Sequence, residues 1–137
     1  MILIDTSVLI DYFRGIDSEP ARSFDELLVN NIPYGINDFV YQELLQGSRT
    51  IKEFRTLKDY LESIPFYQLQ FGKESYERAA LLNFQCRKKG VTVRSTIDLL
   101  IAEIAIENNV LLLHNDTDFD NISKVIKELR IYRPTTR

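Results

Sequence analysis

The 137-residue sequence holds one cysteine, one histidine, one methionine and no tryptophan. A lone Cys86 excludes an internal disulfide and leaves no Cys/His set for a zinc site. It sits in the helical run from Ala79 to Lys89, where a small packing residue belongs. A lone His114 without a nucleophile elbow gives no basis for a Ser/His/Asp triad. There is no P-loop and no G-x-G-x-x-G turn to cradle a phosphate. No apolar run approaches the length that crosses a bilayer, so no membrane partner is expected. The chain opens at once on Ile2-Leu3-Ile4 and an acid, without the basic stretch and longer apolar run of a signal peptide. A reducing cytoplasm is the expected compartment.

Hydrophobic residues make up 45% of the chain, enough for one packed domain over residues 1–137. Strand signals alternate with helix signals. Ile2-Leu3-Ile4 precedes the N-cap types Thr6-Ser7 and a helix that Gly15 ends. A helix from Glu19 to Val29 leads to a short strand, Pro33-Tyr34-Gly35-Ile36. Asn37 or Asp38 caps the next helix, which Gly47 closes, and Thr50 opens another. Phe66-Tyr67-Gln68-Leu69 reads as a strand. Lys73 to Lys89 reads as a long helix with Tyr76, Ala79, Ala80, Leu82 and Phe84 as its apolar positions. Leu99 to Ile106 is nearly all apolar, as in a buried helix. Val110 to Leu113 reads as a buried strand, Asp120 to Glu128 as a short helix and Leu129-Arg130-Ile131-Tyr132 as a last strand. This alternation predicts a three-layer α/β/α sandwich around a central parallel sheet of about four to five strands.

With other chemistries excluded, carboxylates carry the function. Asp5 follows the first strand, and Asp116 closely follows Leu111-Leu112-Leu113. Glu43 and Asp98 lie in the first turns of amphipathic stretches. Each alone suits a cap, a turn or a solvated helix face. Asp98, however, fronts a helix with almost no polar face, so it must stand at a helix N-terminal rim where the dipole favours an anion. The carboxyl ends of parallel strands share such a rim, and ligands bind there. Carboxylates that meet repel unless protons or a cation join them. Hard oxygen donors suit Mg²⁺ or Mn²⁺, which points to metal-dependent chemistry on phosphates.

The net charge of −3 argues at first against nucleic acid, but setting four acids aside as ligands gives −3 + 4 = +1. Basic residues gather in Arg87-Lys88-Lys89 with Arg94 nearby, and again in Arg130, Arg133 and Arg137.

The order and contexts of the acids resemble the PIN domain family, and within it the VapC-type toxins of toxin–antitoxin pairs. Four segments carry the resemblance, which covers essentially the full chain. They are Ile4-Asp5-Thr6-Ser7-Val8-Leu9-Ile10, Tyr41-Gln42-Glu43-Leu44-Leu45-Gln46-Gly47, Ile97-Asp98-Leu99-Leu100-Ile101-Ala102 and Asn115-Asp116-Thr117-Asp118-Phe119. Each is short; their order and spacing are specific together. One position departs: His114 stands where relatives commonly have Thr or Ser. The resemblance implies a Mg²⁺- or Mn²⁺-dependent endoribonuclease that acts on RNA, dimerises, and is paired with a small antitoxin whose arginine enters the acids. Asp5, Asp98 and Asp116 would be direct or water-mediated ligands, Glu43 a ligand or positioner of the attacking water, and Asp118 a secondary ligand. Ser7 and Asn115 would hold phosphate or metal waters, and Arg94 and Lys88 would contact flanking phosphates. Exposed aromatics on or near the Glu43 helix, Tyr34, Phe39 and Tyr41, are expected on part of the antitoxin's docking surface or of a homodimer contact.

Other readings are weaker. A haloacid-dehalogenase-type phosphotransferase needs a second acid where Ser7 stands, and a receiver domain needs an adjacent early pair of acids. A non-catalytic binding module with the same fold would have no need of the full acid set.

Overall fold

The computed structural model describes residues 1–134; Arg137, in the second basic group, lies outside them. Three short parallel strands form the sheet in the order β2-β1-β3: β1 Ile2–Ile4, β2 Tyr34–Gly35 and β3 Leu111–Leu113. Among the described residues seven helices surround them: α1 Thr6–Phe13, α2 Glu19–Val29, α3 Asp38–Gln46, α4 Ile51–Glu62, α5 Lys73–Lys88, α6 Thr96–Glu107 and α7 Thr117–Val125. Helices α1 to α4 pack in one group and α5 to α7 in another, giving the expected α/β/α layers.

The sheet is smaller than the sequence suggests. The two outer segments contribute one parallel bridge each, Ile36 with Phe66 and Leu112 with Ile131. They still exchange backbone hydrogen bonds with the sheet: Tyr67 N–H donates to Ile36 O at 2.8 Å and Tyr132 N–H to Leu112 O at 2.8 Å. Gly35 permits the first approach, since a Cβ there would lie 2.7 Å from Pro65 O and from the Tyr67 ring. Each outer segment therefore pairs at a point before turning away, and neither extends into a ladder.

Asn37 and Thr50 cap their helices as expected, whereas Asp5 caps α1 one residue before Thr6-Ser7. Asp5, Ser18, Asn37, Thr50, Ser95 and Asp116 each accept a backbone N–H at a helix start. The last helix begins at Thr117, three residues before its expected start, because Asp116 caps it. Leu3, Ile4, Ile101 and Leu112 are fully buried at the centre, and α6 is buried from Leu99 to Ala105. Cys86 is likewise buried in α5. The face of α5 differs from expectation. Ser75, Ala79, Leu82 and Cys86 point inward, whereas Tyr76, Leu81 and Phe84 are 53%, 57% and 56% exposed. Tyr34, Phe39 and Tyr41, expected outside, pack half-buried against the core; Tyr34 meets Phe24 edge-on and Tyr41 meets Phe66.

Candidate active site

Three helix N-termini deliver the acids to one rim. Asp5 is the N-cap of α1, Asp98 lies in the first turn of α6, and Asp116 caps α7 with Asp118 in its first turn. Capping and site formation are the same placement, because the positive helix ends favour the anions that gather there. Carboxylate oxygens of Asp98, Asp116 and Asp118 all lie within 4.8 Å of one another. Asp118, to which the resemblance gives a secondary place, stands in this group with Asp98 and Asp116.

Asp5 is buried, and its Oδ2 accepts from the Ser7 hydroxyl at 2.6 Å and from the Ser7 N–H at 3.1 Å. Burial pushes its carboxyl above the ordinary range, against the pull of the Ser7 bonds. Glu43 lies in the second half of α3 rather than its first turn. It reaches the rim through Thr6, whose hydroxyl donates to Glu43 Oε1 at 3.1 Å. Burial raises Glu43 as well, and the charge of Asp5 adds to this. Asp98 is pushed up to about 7, first by burial and then by Asp5, Asp116, Asp118 and Glu43. Asp98 therefore feels the charge of all four other acids.

The surrounding groups fix this geometry. Asp118 N–H donates to Asp116 Oδ1 at 2.9 Å. Asn115 N–H donates to Ser7 Oγ at 3.0 Å, and its side-chain amide to Asp11 at 2.8 Å. Arg94 donates to Asp118 Oδ1 at 3.2 Å. Lys88, at the exposed end of α5, makes no ion pair with the rim among the described residues. His114 braces the turn. Asp116 N–H donates to its Nδ1 at 3.0 Å, and its Nε2 faces Asp120 Oδ1 at 3.2 Å. That pairing requires the Nε2–H tautomer, and burial lowers the imidazole pKa in agreement with a neutral ring. Thr6, Asp11 and Asp120 escaped sequence reasoning; each acts across a tertiary contact or as a support, with no local pattern to mark it.

The donor set fits a hard divalent cation. It offers three clustered carboxylates, repulsion that a cation would relieve, and no soft ligand. A groove of about 260 Å³ is lined by Ile10 and Phe13 of α1 with Arg14 at its end, by Glu43 and Leu44 of α3, by Gly47 and Arg49 after it, and by Glu53 and Leu57 of α4. It adjoins an apolar hollow lined by Phe13, Leu57 and Tyr60.

The family model of the PIN domain matches residues 2–125. Ribonuclease VapC11 of Mycobacterium tuberculosis is 32% identical over 126 residues, covering 91% of this chain and 93% of the relative. VapC ribonuclease Mb1587 of Mycobacterium bovis is similar to the same extent, 32% over 126 residues. Among solved structures, VapBC2 from Rickettsia felis bound to a promoter DNA fragment superposes with a TM-score of 0.73 at 21% identity, covering 96% of this chain and 98% of that one. FitAcB from Neisseria gonorrhoeae superposes with a TM-score of 0.67 at 18% identity, covering 97% of each chain.

Proposed function

The chain belongs to the PIN domain family, and from that premise we propose that it is a Mg²⁺- or Mn²⁺-dependent endoribonuclease, the toxin of a type II toxin–antitoxin pair. The observation that carries this is the meeting of Asp98, Asp116 and Asp118 oxygens within 4.8 Å at a rim shared with Asp5 and Glu43. Its relatives of similar length are named as ribonucleases.

Asp98, Asp116 and Asp118 would hold the cation, with Asp5 behind them, fixed by Ser7. When bound, the cation offsets charge gathering on the phosphodiester and makes a water easier to deprotonate. Glu43 Oε1 is oriented by Thr6, which leaves Oε2 to position that water and take its proton. A carboxyl raised by burial is better matched to that task near neutral pH. Ser7 and Asn115 hold the turn on which Asp116 sits, and Lys88 would contact a flanking phosphate.

The partner is a small antitoxin whose chain follows the groove between α1 and α4, placing an arginine toward Glu43 and the rim. The exposed apolar face of α5 is the candidate surface for a homodimer. Purified protein should cleave RNA in Mg²⁺ or Mn²⁺ and stop when EDTA is added. Equal cleavage in EDTA would contradict the reading. Binding of RNA or an antitoxin with no cleavage in any divalent metal would favour a non-catalytic module instead.

A further inference from the structure

Arg94 forms the one ion pair to any of the five rim acids among the described residues, its Nη2 donating to Asp118 Oδ1 at 3.2 Å. The two partners are unequal. The Asp118 side chain is 11% exposed and set in the first turn of α7, whereas that of Arg94 is 76% exposed. The guanidinium therefore spends one of its five N–H donors here and stands in solvent with the rest. Its backbone lies immediately before Ser95, the N-cap of α6, so it is tethered close to Asp98. Between two exposed groups such a pair would contribute little. Here the carboxylate is one of three that crowd together, so a cation entering the group meets positive charge already seated on one ligand.

A guanidinium pairs with carboxylate and phosphate through the same planar fork. Resting on the metal-dependent ribonuclease reading, we propose that Arg94 is a tethered counter-ion of the rim. It occupies Asp118 until a divalent cation takes that carboxylate, and the released guanidinium then binds an RNA phosphate beside the scissile bond. Metal and Arg94 thus compete for Asp118. By linkage, metal and RNA strengthen each other's binding, because each favours the state in which Arg94 has left.

The test is calorimetric titration of the full chain with Mn²⁺, together with RNA cleavage kinetics at saturating Mn²⁺. Wild type, Arg94→Gln, Asp118→Asn and the double variant are compared, with circular dichroism to check folding. Arg94→Gln should bind Mn²⁺ about three- to tenfold tighter and raise KM for RNA by a similar factor, with kcat little changed. In the Asp118→Asn background the gain in Mn²⁺ affinity should shrink to about twofold or less. Equal or weaker Mn²⁺ binding by Arg94→Gln overturns the proposal, since an arginine that merely braces Asp118 would weaken the site when removed. Tighter Mn²⁺ binding with an unchanged KM overturns the phosphate half. A wild type that takes up no Mn²⁺ overturns the ribonuclease reading itself, and is recognised because the failure precedes any substitution.

Discussion

At its start helix α6 holds Asp98 among the rim carboxyls; further along it holds Glu103 against Glu107. Both acids are pushed far up, Asp98 to about 7 and Glu103 to about 8, burial leading in each case. Glu107 moves the other way. Burial opposes its ionisation, but Glu103, Gln70, Ser75 and Arg78 hold it below its ordinary value. Gln70 N–H reaches Glu107 Oε1 at 2.7 Å and the Ser75 hydroxyl reaches it at 3.1 Å. Oε2 is buried with no hydrogen-bond partner, and a protonated Glu103 would supply the missing donor. That pair is closed. At the rim, Asp116 Oδ1 receives one N–H and Asp118 Oδ1 receives Arg94, while the Asp98 carboxylate accepts no hydrogen bond among the described residues. Glu107, supplied with donors from Gln70 and Ser75, fastens α6 to α5; Asp98, without a donor, is the acid best placed for the proposed cation.

The sharpest way to break this contrast is to neutralise one acid in each group. Asp98→Asn or Asp5→Asn should cut RNA cleavage by at least about a hundredfold, since each removes a charge from the rim while keeping its shape. Glu103→Gln should leave cleavage within about twofold, because an amide can still donate to Glu107. Initial rates on one RNA at fixed Mn²⁺ decide both.

Stability against pH separates the groups next. The folded Asp98 value of about 7 lies above the ordinary 3.8, so its proton favours the folded state. That contribution is complete below about pH 4 and is lost as pH rises through 7. Metal-free protein should therefore lose on the order of 1–2 kcal/mol over that window, discounting for the solvent around a half-buried group. Asp98→Asn should flatten the loss, and saturating Mn²⁺ should reverse it in wild type by mass action. Urea unfolding at stepped pH measures it. Glu103 has the same sign, with stability lost as pH rises from 4.5 through about 8. Glu107 is opposite, its contribution present above 4.5 and lost as pH falls through its lowered value. Glu103→Gln should remove the alkaline loss, and Mn²⁺ should leave that limb unchanged. A Mn²⁺ effect there would erase the distinction.

His114 gives the smallest effect. Its folded pKa lies below 6.5, so its contribution is complete above 6.5 and falls as pH drops toward the lowered value. Protonation removes the Nδ1 lone pair that accepts the Asp116 N–H. A loss of about 1 kcal/mol or less is expected on that limb, and His114→Gln should flatten it in the same urea series.

The layers, the seven helices and the acids that meet were legible because caps and strand ends are local signals. Asp98 stands at a helix start marked by its own capping pattern, while Asp5 and Asp116 are themselves the caps, ahead of the starts expected at Thr6-Ser7 and Asp120. The outer strands were overread, since Phe66-Tyr67-Gln68-Leu69 has strand composition and yet pairs at one residue. Composition does not say how far two segments run together. On α5, Ala79, Leu82 and Cys86 pack inward as the apolar pattern suggests, joined by Ser75, whereas Tyr76 and Phe84 face solvent because hydrophobicity alone does not fix which side of a helix is covered. Partners such as Thr6 with Glu43 and Arg94 with Asp118 span 37 and 24 residues, beyond any local periodicity.

The central claim, that the rim is a cation site and the Glu103–Glu107 pair is not, is tested most directly by anomalous diffraction from crystals soaked in Mn²⁺. The account predicts an anomalous peak among the carboxylates of Asp98, Asp116 and Asp118 and none beside Glu103 and Glu107. A peak at the glutamate pair, or none at the rim in crystals that hold Mn²⁺, would contradict it.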